Sequence, residues 1–174
     1  MSKEDNETIH FVITGGTIDA FYNGIKDTVD TLPKSSIPEY IKSLKLYVGA
    51  EFTEVCMKDS RELSMNDRKK VLDTIEKSPH TRIIVTHGTY TMPDTARFLE
   101  ANLKRKDQVV IFTGSMIPLI GFSPSDAPFS LGFAVSQTSE LEPGIYVCMN
   151  GRVFVSGEIV KLLNEGKFGS IFEK

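Results

Sequence analysis

Short apolar runs alternate along the chain with segments of helical periodicity. The apolar runs span residues 10–13, 51–57, 82–86, 108–113 and 144–149, each four to seven residues long. Val and Ile stand at consecutive positions in several of them, which is typical of strands buried on both faces of a parallel sheet. The pattern therefore predicts five strands joined by crossover connections.

Helix signals lie between these runs. Ser64 can cap a helix that continues to about residue 77, and Asp67 three residues later completes a capping-box pattern. Pro93 suits the first turn of a second helix, a third is expected over 127–136, and a weaker one over 38–44. Alternating strands and helices predict an α/β sandwich with right-handed crossovers.

Composition narrows the classes of function. A chain of 174 residues fits one domain, and 20 Lys+Arg against 23 Asp+Glu give no support for nucleic acid or a phospholipid surface as the main partner. The polar start does not resemble a secretory signal, and no apolar run approaches a membrane span. Cys56 and Cys148 fall in strand-like segments and are expected to be reduced core thiols. We therefore expect a cytoplasmic protein.

Hydroxyl groups and glycines follow four of the predicted strands, at residues 14–18, 58–62, 87–91 and 114–116. Each loop alone is compatible with ordinary turn chemistry. Because ligands bind beyond the carboxyl ends of parallel strands, the four loops together predict one site. The sequence carries neither a dinucleotide-binding fingerprint nor a phosphate loop, and with only three histidines it favours a hydroxyl nucleophile with lysine as its base.

Two of these loops carry motifs. Residues 14–18 (TGGTI) and 87–91 (HGTYT) closely resemble the two signature motifs of the bacterial-type L-asparaginase family. Residues 114–118 with 125–128 resemble the family's next block, and residues 59–63 resemble its substrate-carboxylate loop. The resemblance covers residues 1–174 as the family's N-terminal domain only, without its C-terminal domain. It implies the fold of that domain, a three-layer, Rossmann/flavodoxin-like sandwich with a mainly parallel sheet.

The resemblance also implies catalytic roles. Thr17 would attack a side-chain amide to form an acyl-enzyme, and Thr89 would position water or shuttle a proton. Lys161 would keep the threonine pair basic, although a surface lysine near the C-terminus is the alternative interpretation. Tyr22 would close over the site and hydrogen-bond the nucleophile, or else only anchor its loop.

Further positions of the motifs are expected to bind substrate. Backbone N–H groups near Gly16 and Thr89 would hold the oxyanion, and Ser60 would bind a substrate carboxylate. The expected substrate-binding residues are Gly16, Ser60, Arg61, Gly88, Tyr90 and Ser115. The chemistry requires neither a metal nor an organic cofactor.

Two positions depart from the family pattern. Tyr90 stands where the family has an aspartate that binds the substrate's α-ammonium, and Arg61 stands where a small or amide residue is usual. At an effective dielectric near 20, two unit charges 4 Å apart interact with an energy of about 4 kcal/mol, so one misplaced charge beside the substrate can change its binding by that amount. This change favours a substrate without a free α-ammonium, or with an extra carboxylate, unless Asp59 or Glu62 compensates.

Three functions are consistent with these features. The first is an asparaginase-like amidohydrolase acting on L-asparagine or a related small amide. The second is a binding or regulatory module that has lost turnover, and the third is an amidase subunit completed by another protein. The lack of a second domain leaves the pocket open, so we expect a homo-oligomer, a dimer or a tetramer.

Overall fold

The computed structural model describes residues 8–173. Ten strands and four helices make up this part of the chain. The strands are β1 (Ile9–Gly15), β2 (Ala20–Asn23), β3 (Thr28–Thr31), β4 (Ala50–Lys58), β5 (Arg82–Thr86), β6 (Val109–Thr113), β7 (Gly144–Met149), β8 (Arg152–Val155), β9 (Ile159–Leu162) and β10 (Lys167–Ser170). The helices are α1 (Ile37–Ser43), α2 (Met65–Lys77), α3 (Met92–Asn102) and α4 (Ala127–Gln137).

Six of the strands form one sheet in the order β4-β1-β5-β6-β7-β8. The first five run parallel, and β8 is antiparallel to β7. Taken in sequence, the five parallel strands follow the order 2-1-3-4-5 that is typical of flavodoxin-like sheets. The remaining strands pair as two antiparallel hairpins, β2 with β3 and β9 with β10.

Helices cover both faces of the sheet, which confirms the predicted three-layer α/β fold. Alternate residues of β1 point to opposite faces because side chains alternate along a strand. Val12 belongs to the core that contains the apolar side chains of α2 and α3. Phe11 and Ile13 belong to the core on the other face, which contains those of α1 and α4.

Helix α2 begins with the predicted capping box. The Ser64 hydroxyl accepts the Asp67 N–H, and the Asp67 carboxylate accepts the Ser64 N–H at 2.9 Å. Asp67 also accepts a hydrogen bond from Lys58 Nζ at 2.8 Å, which links the helix to the end of β4. The Lys58 hydrogen bond, aided by Ser64, lowers the pKa of Asp67 to about 2.

Some expectations about the elements were wrong. The second predicted strand is β4, whose residues are all exposed or half-buried because it lies at the edge of the sheet. Burial on both faces holds for β1 and β6. Both cysteines are free, as expected, but only Cys148 is fully buried, whereas Cys56 is half-buried on β4. Within residues 8–173, no helix is long and apolar enough to cross a membrane.

The Asp67 contacts predict how stability depends on pH. Because the folded-state pKa of Asp67 is depressed, its contribution is present above the unfolded pKa of about 3.9 and is lost as the pH falls towards 2. We expect Asp67→Asn to reduce the free energy of unfolding by about 2 kcal/mol at neutral pH, with the difference vanishing near pH 2. Urea unfolding as a function of pH measures this difference. Asp73→Asn, an exposed position on the same helix, is the control and should have little effect at any pH.

Candidate active site

The loops after β1 and β5 meet at the carboxyl edge of the sheet, between two neighbouring parallel strands. Gly16 has φ +85°, and a Cβ there would lie 2.3 Å from the Gly88 Cα. A Cβ on Gly88 would lie 2.7 Å from the Ser60 Cβ. The loops after β1, β4 and β5 therefore lie in direct contact at these two positions. Because a side chain would collide with the neighbouring loop, only glycine fits there.

Thr17 and Thr89 each follow one of these two glycines. Thr17 begins a 3₁₀ turn, Thr17–Asp19, and is half-buried. The contact between Gly16 and Gly88 therefore brings the loops of the two threonines together.

Asp19 fixes the turn that carries Thr17. Its fully buried carboxylate accepts hydrogen bonds from the Ser35 hydroxyl at 2.6 Å, the Ser36 N–H at 2.8 Å and the Ser36 hydroxyl at 2.9 Å. Its backbone carbonyl accepts the Leu32 N–H at 2.8 Å. The segment that leaves Thr17 and the segment that returns from the β2–β3 hairpin are thus held together at one buried carboxylate.

Lys161 contacts Thr89 although 72 residues separate them in sequence. Lys161 Nζ lies 2.6 Å from Thr89 Oγ1. Strand β9 carries the lysine along helix α3, where the guanidinium of Arg97 donates to the Ile159 carbonyl at 2.6 Å. Lys161 is therefore one side of an amine–hydroxyl pair rather than a free surface lysine.

The surroundings of Lys161 lower its pKa, so that it loses its proton more easily than an exposed lysine. Burial is the main cause that lowers the pKa of Lys161, and the positive charge of Arg61 lowers it further, while Asp59 opposes the change. A neutral amine can accept the proton of a hydroxyl beside it, which is the task of a general base. The pair can thus move a proton between Thr89 and Lys161.

Arg61 and Tyr90 form the rim beside this pair. Arg61 binds Asp59 through two hydrogen bonds, Nε to Oδ1 at 2.9 Å and Nη2 to Oδ2 at 3.0 Å. The Tyr90 ring centroid lies 5.8 Å from the Arg61 Cζ and 5.9 Å from the Lys161 Nζ, so one aromatic ring contacts both cations. Tyr90 is 54% exposed and faces solvent at the edge of the site.

Ser60 joins the loop after β4 to the loop after β5. Its hydroxyl accepts the Thr91 N–H at 3.3 Å, and its carbonyl accepts the Thr91 hydroxyl at 2.7 Å. Ser60 is 3% exposed and lies against Gly88. Its role towards a substrate carboxylate remains a prediction.

Ser115 lies at the carboxyl end of β6 and is fully buried. Its hydroxyl donates to the Ile117 carbonyl at 2.6 Å. Asp126 holds the same turn by accepting the N–H groups of Met116 and Ile117 at 2.9 and 2.8 Å. The side chain of Ser115 thus shapes the loop, and its expected part in substrate binding stays a prediction.

Tyr22 lies on the β2–β3 hairpin and is 55% exposed. Its hydroxyl donates to Asp27 Oδ1 at 2.5 Å, across the turn of the same hairpin. This is the contact that the loop-anchor interpretation expects, and the closing role over Thr17 stays a prediction.

Sequence reasoning did not single out two residues that shape the site. Asp19 fixes the Thr17 turn, and His87 donates from Nδ1 to the Gly88 carbonyl at 2.8 Å. Burial lowers the pKa of His87 to about 4, so the ring is neutral at pH 7. Asp19 directly follows the first motif, and His87 is the first residue of the second motif. A polar side chain at such a position could have identified both residues from the sequence. No group of three or more His, Cys, Asp or Glu among residues 8–173 is arranged to hold a metal ion.

Comparisons with known proteins identify the family of the chain. The family described as "Asparaginase, N-terminal" matches residues 8–168. The chain is 32% identical over 168 residues to a glutaminase-asparaginase of Acinetobacter glutaminasificans, covering 88% of this chain and 49% of that protein. It is 28% identical over 147 residues to L-asparaginase 2 of Escherichia coli, covering 79% of this chain and 38% of that protein.

A solved structure agrees over nearly the whole described fold. The crystal structure of a "Probable Cytoplasmic L-asparaginase" from Campylobacter jejuni has a TM-score of 0.80 at 25% identity, covering 95% of this chain and 53% of that one. The fold is that of an α/β protein with a mainly parallel sheet. The chain belongs to the asparaginase family and matches its N-terminal domain. It spans about half the length of the relatives it matches.

The contact between Gly88 and Ser60 predicts a sharp steric effect. Gly88→Ala would place a Cβ 2.7 Å from the Ser60 Cβ and 3.0 Å from its backbone nitrogen. We expect a loss of about 1–3 kcal/mol in the free energy of unfolding, because the loops must move apart. Gly157→Ala is the matched control, since no atom lies within 4 Å of its added Cβ. Equal urea midpoints for the two variants would contradict the tight contact.

Proposed function

We propose that the protein forms the nucleophile-bearing part of an asparaginase-type amidohydrolase, which converts L-asparagine or a related side-chain amide to the acid and ammonia. The observation that carries this proposal is the 2.6 Å contact between Lys161 Nζ and Thr89 Oγ1. It joins a lysine of lowered pKa to the hydroxyl of a motif loop that touches the loop of Thr17. An amine in this position suits proton transfer better than it suits simple ligand binding.

The reaction is proposed to run in two steps. Thr17 Oγ1 attacks the amide carbon, and its proton passes through Thr89 and Lys161 to the leaving nitrogen. The C–N bond breaks, ammonia leaves, and an ester joins Thr17 to the acyl group. Water then attacks the ester carbon with the same pair as base, which releases the acid and restores Thr17. Backbone N–H groups near Gly16 and Thr89 are suited to hold the oxyanion.

Charges at the rim support a variant of this function. Asp59 is engaged by Arg61 through two hydrogen bonds, and Tyr90 carries no charge to bind an ammonium. The cations Arg61 and Lys161 both contact the Tyr90 ring. A substrate without a free α-ammonium, or with an additional carboxylate, therefore fits this rim better than free asparagine.

Two further functions remain as alternatives. A binding or regulatory module would keep the pocket without turnover, and an amidase subunit would need another protein to complete the site. The contact between Lys161 and Thr89 favours chemistry over binding alone, because it places a potential base against a hydroxyl. We further propose that the protein is cytoplasmic, which is consistent with its two free cysteines. We also propose that it forms a homo-oligomer, a dimer or a tetramer. Light scattering after size exclusion measures the oligomeric state.

Substitution of the nucleophile and the base tests the reaction. We expect Thr17→Ala to abolish ammonia release, because the proposed mechanism assigns the attacking oxygen to Thr17. Lys161→Met should reduce kcat/KM by about 10²–10⁴-fold, the usual effect of losing a general base. Ammonia release from L-asparagine, L-glutamine, N-acetyl-L-asparagine and succinamate measures both effects.

Two variants serve as controls for this series. Thr17→Ser keeps a hydroxyl and should retain part of the activity, while Lys69→Met changes an exposed lysine of α2 and should retain all of it. Full activity in Thr17→Ala would refute the acyl-enzyme mechanism. If the wild type bound one of these amides without releasing ammonia, the binding module would be the better description.

The charge of Arg61 predicts a pH effect. Because a neutral Lys161 is the active form, kcat/KM should rise with pH to a plateau. Arg61→Gln removes a cation that lowers the pKa of Lys161 and frees Asp59, which raises it. The rising limb should therefore move to higher pH. Arg82→Gln, at the start of β5 and thus at the opposite edge of the sheet, should leave the limb in place.

A further inference from the structure

A second cavity adjoins the site and has no part in the reaction just described. This hairpin cleft has a volume of about 660 Å³ and lies between the β2–β3 hairpin and the turn after β4. Its walls include Phe21, Pro33, Met57, Asp59, Arg61 and Glu62. Pockets of roughly 300–1,000 Å³ hold ligands of drug size, so the cleft exceeds the needs of a free amino acid.

The hairpin cleft shares a wall with the proposed active site. Arg61 lines the cleft and also contacts the ring of Tyr90, the residue that follows Thr89. Asp59 lines the cleft as well, and its charge influences Lys161. A substrate held at the amine–hydroxyl pair can therefore extend past Arg61 into the cleft.

The charges of the cleft disfavour a negatively charged extension of the substrate. Both cations that line it, Arg61 and Lys26, are paired with carboxylates of the same walls, at 2.9 and 2.8 Å respectively. Glu62 makes no ion pair within residues 8–173, so the charge left uncompensated is negative and repels an anion. Apolar contact comes from Phe21, which is 37% exposed, together with Pro33 and Met57.

The walls of the cleft are held in place. Asp19 accepts the N–H of Leu32, beside Pro33, and binds the side chains of Ser35 and Ser36. On strand β2, successive side chains point to opposite faces, and Phe21 rather than Tyr22 lines the cleft.

We propose that the hairpin cleft is a subsite for a neutral, mainly apolar acyl group on the α-nitrogen of the amide substrate. This inference rests on the proposed function and narrows its substrate class to N-acylated asparagine or a similar side-chain amide. Acylation turns the α-ammonium into a neutral amide, which can lie against an apolar wall without the cost of burying a charge, and the acyl group packs against Phe21. The bond that breaks is still the C–N bond of the amide at the far end of the substrate, and ammonia is still the leaving group.

A series of substrates with acyl groups of growing length tests the subsite. We expect kcat/KM to rise at least tenfold from N-acetyl- to N-hexanoyl-L-asparagine in the wild type, and both to exceed L-asparagine. Phe21→Ser should flatten the series to less than threefold, whereas Phe21→Leu should keep most of the rise. Ile25→Ser is the matched control, because Ile25 is 98% exposed on the same hairpin, and its series should match the wild type. A flat wild-type series, or an unchanged rise in Phe21→Ser, overturns the subsite.

A binding measurement separates this inference from the proposed function. If the wild type releases ammonia from no amide in the series, the proposed function fails. Titration calorimetry with N-hexanoyl- and N-acetyl-L-aspartate, the products of the proposed reaction, then tests the cleft directly. At least tenfold tighter binding of the hexanoyl compound, lost in Phe21→Ser, supports the subsite. Equal affinities for the two compounds overturn it.

Discussion

The site depends on the direct contact of two backbones, at Gly16 and Gly88. Parallel neighbours in a sheet lie about 4.8 Å apart, and the loops that leave them must diverge or collide. At these two glycines the loops instead touch, because neither residue carries a Cβ. Each glycine is followed by a threonine, so one steric constraint determines how near the two hydroxyl-bearing loops come. Asp19 and Ser60 fix the same loops from the outside, through buried hydrogen bonds.

Electrostatics then distinguish this site from a simple hydroxyl pocket. A partly buried amine near a cation loses its proton more easily than one in water, and both causes lower the pKa of the half-buried Lys161. On one side of the pocket, two hydrogen bonds to Asp59 hold the guanidinium of Arg61 in place, and the carboxylate of Asp59 balances its charge. Tyr90 contacts both Arg61 and Lys161 with one ring, and the charge of Arg61 still lowers the pKa of Lys161.

The parallel sheet was predictable because its strands are apolar runs, and the α2 cap was predictable because Ser64 and Asp67 have the capping spacing. The β2–β3 and β9–β10 hairpins were not, since their strands are four residues long and partly polar. The edge position of β4 depends on sheet order, which periodicity does not encode. Lys161 was assigned by resemblance alone, because a contact across 72 residues leaves no local signal. The Tyr22 contact with Asp27 reflects hairpin geometry that the motif spacing did not specify.

Strand β9 has one more consequence, for the order in which the protein matures. A ribosome makes the Thr17 turn well before the strand of Lys161. Strand β9 joins the molecule by packing along α3, where Arg97 contacts Ile159. A nascent polypeptide that has completed β7 can already form the five parallel strands with their glycine loops. If Lys161 is the base and Thr17 the nucleophile, such an intermediate lacks the group that would deprotonate the hydroxyl, and its chemistry starts only when the β9–β10 hairpin docks.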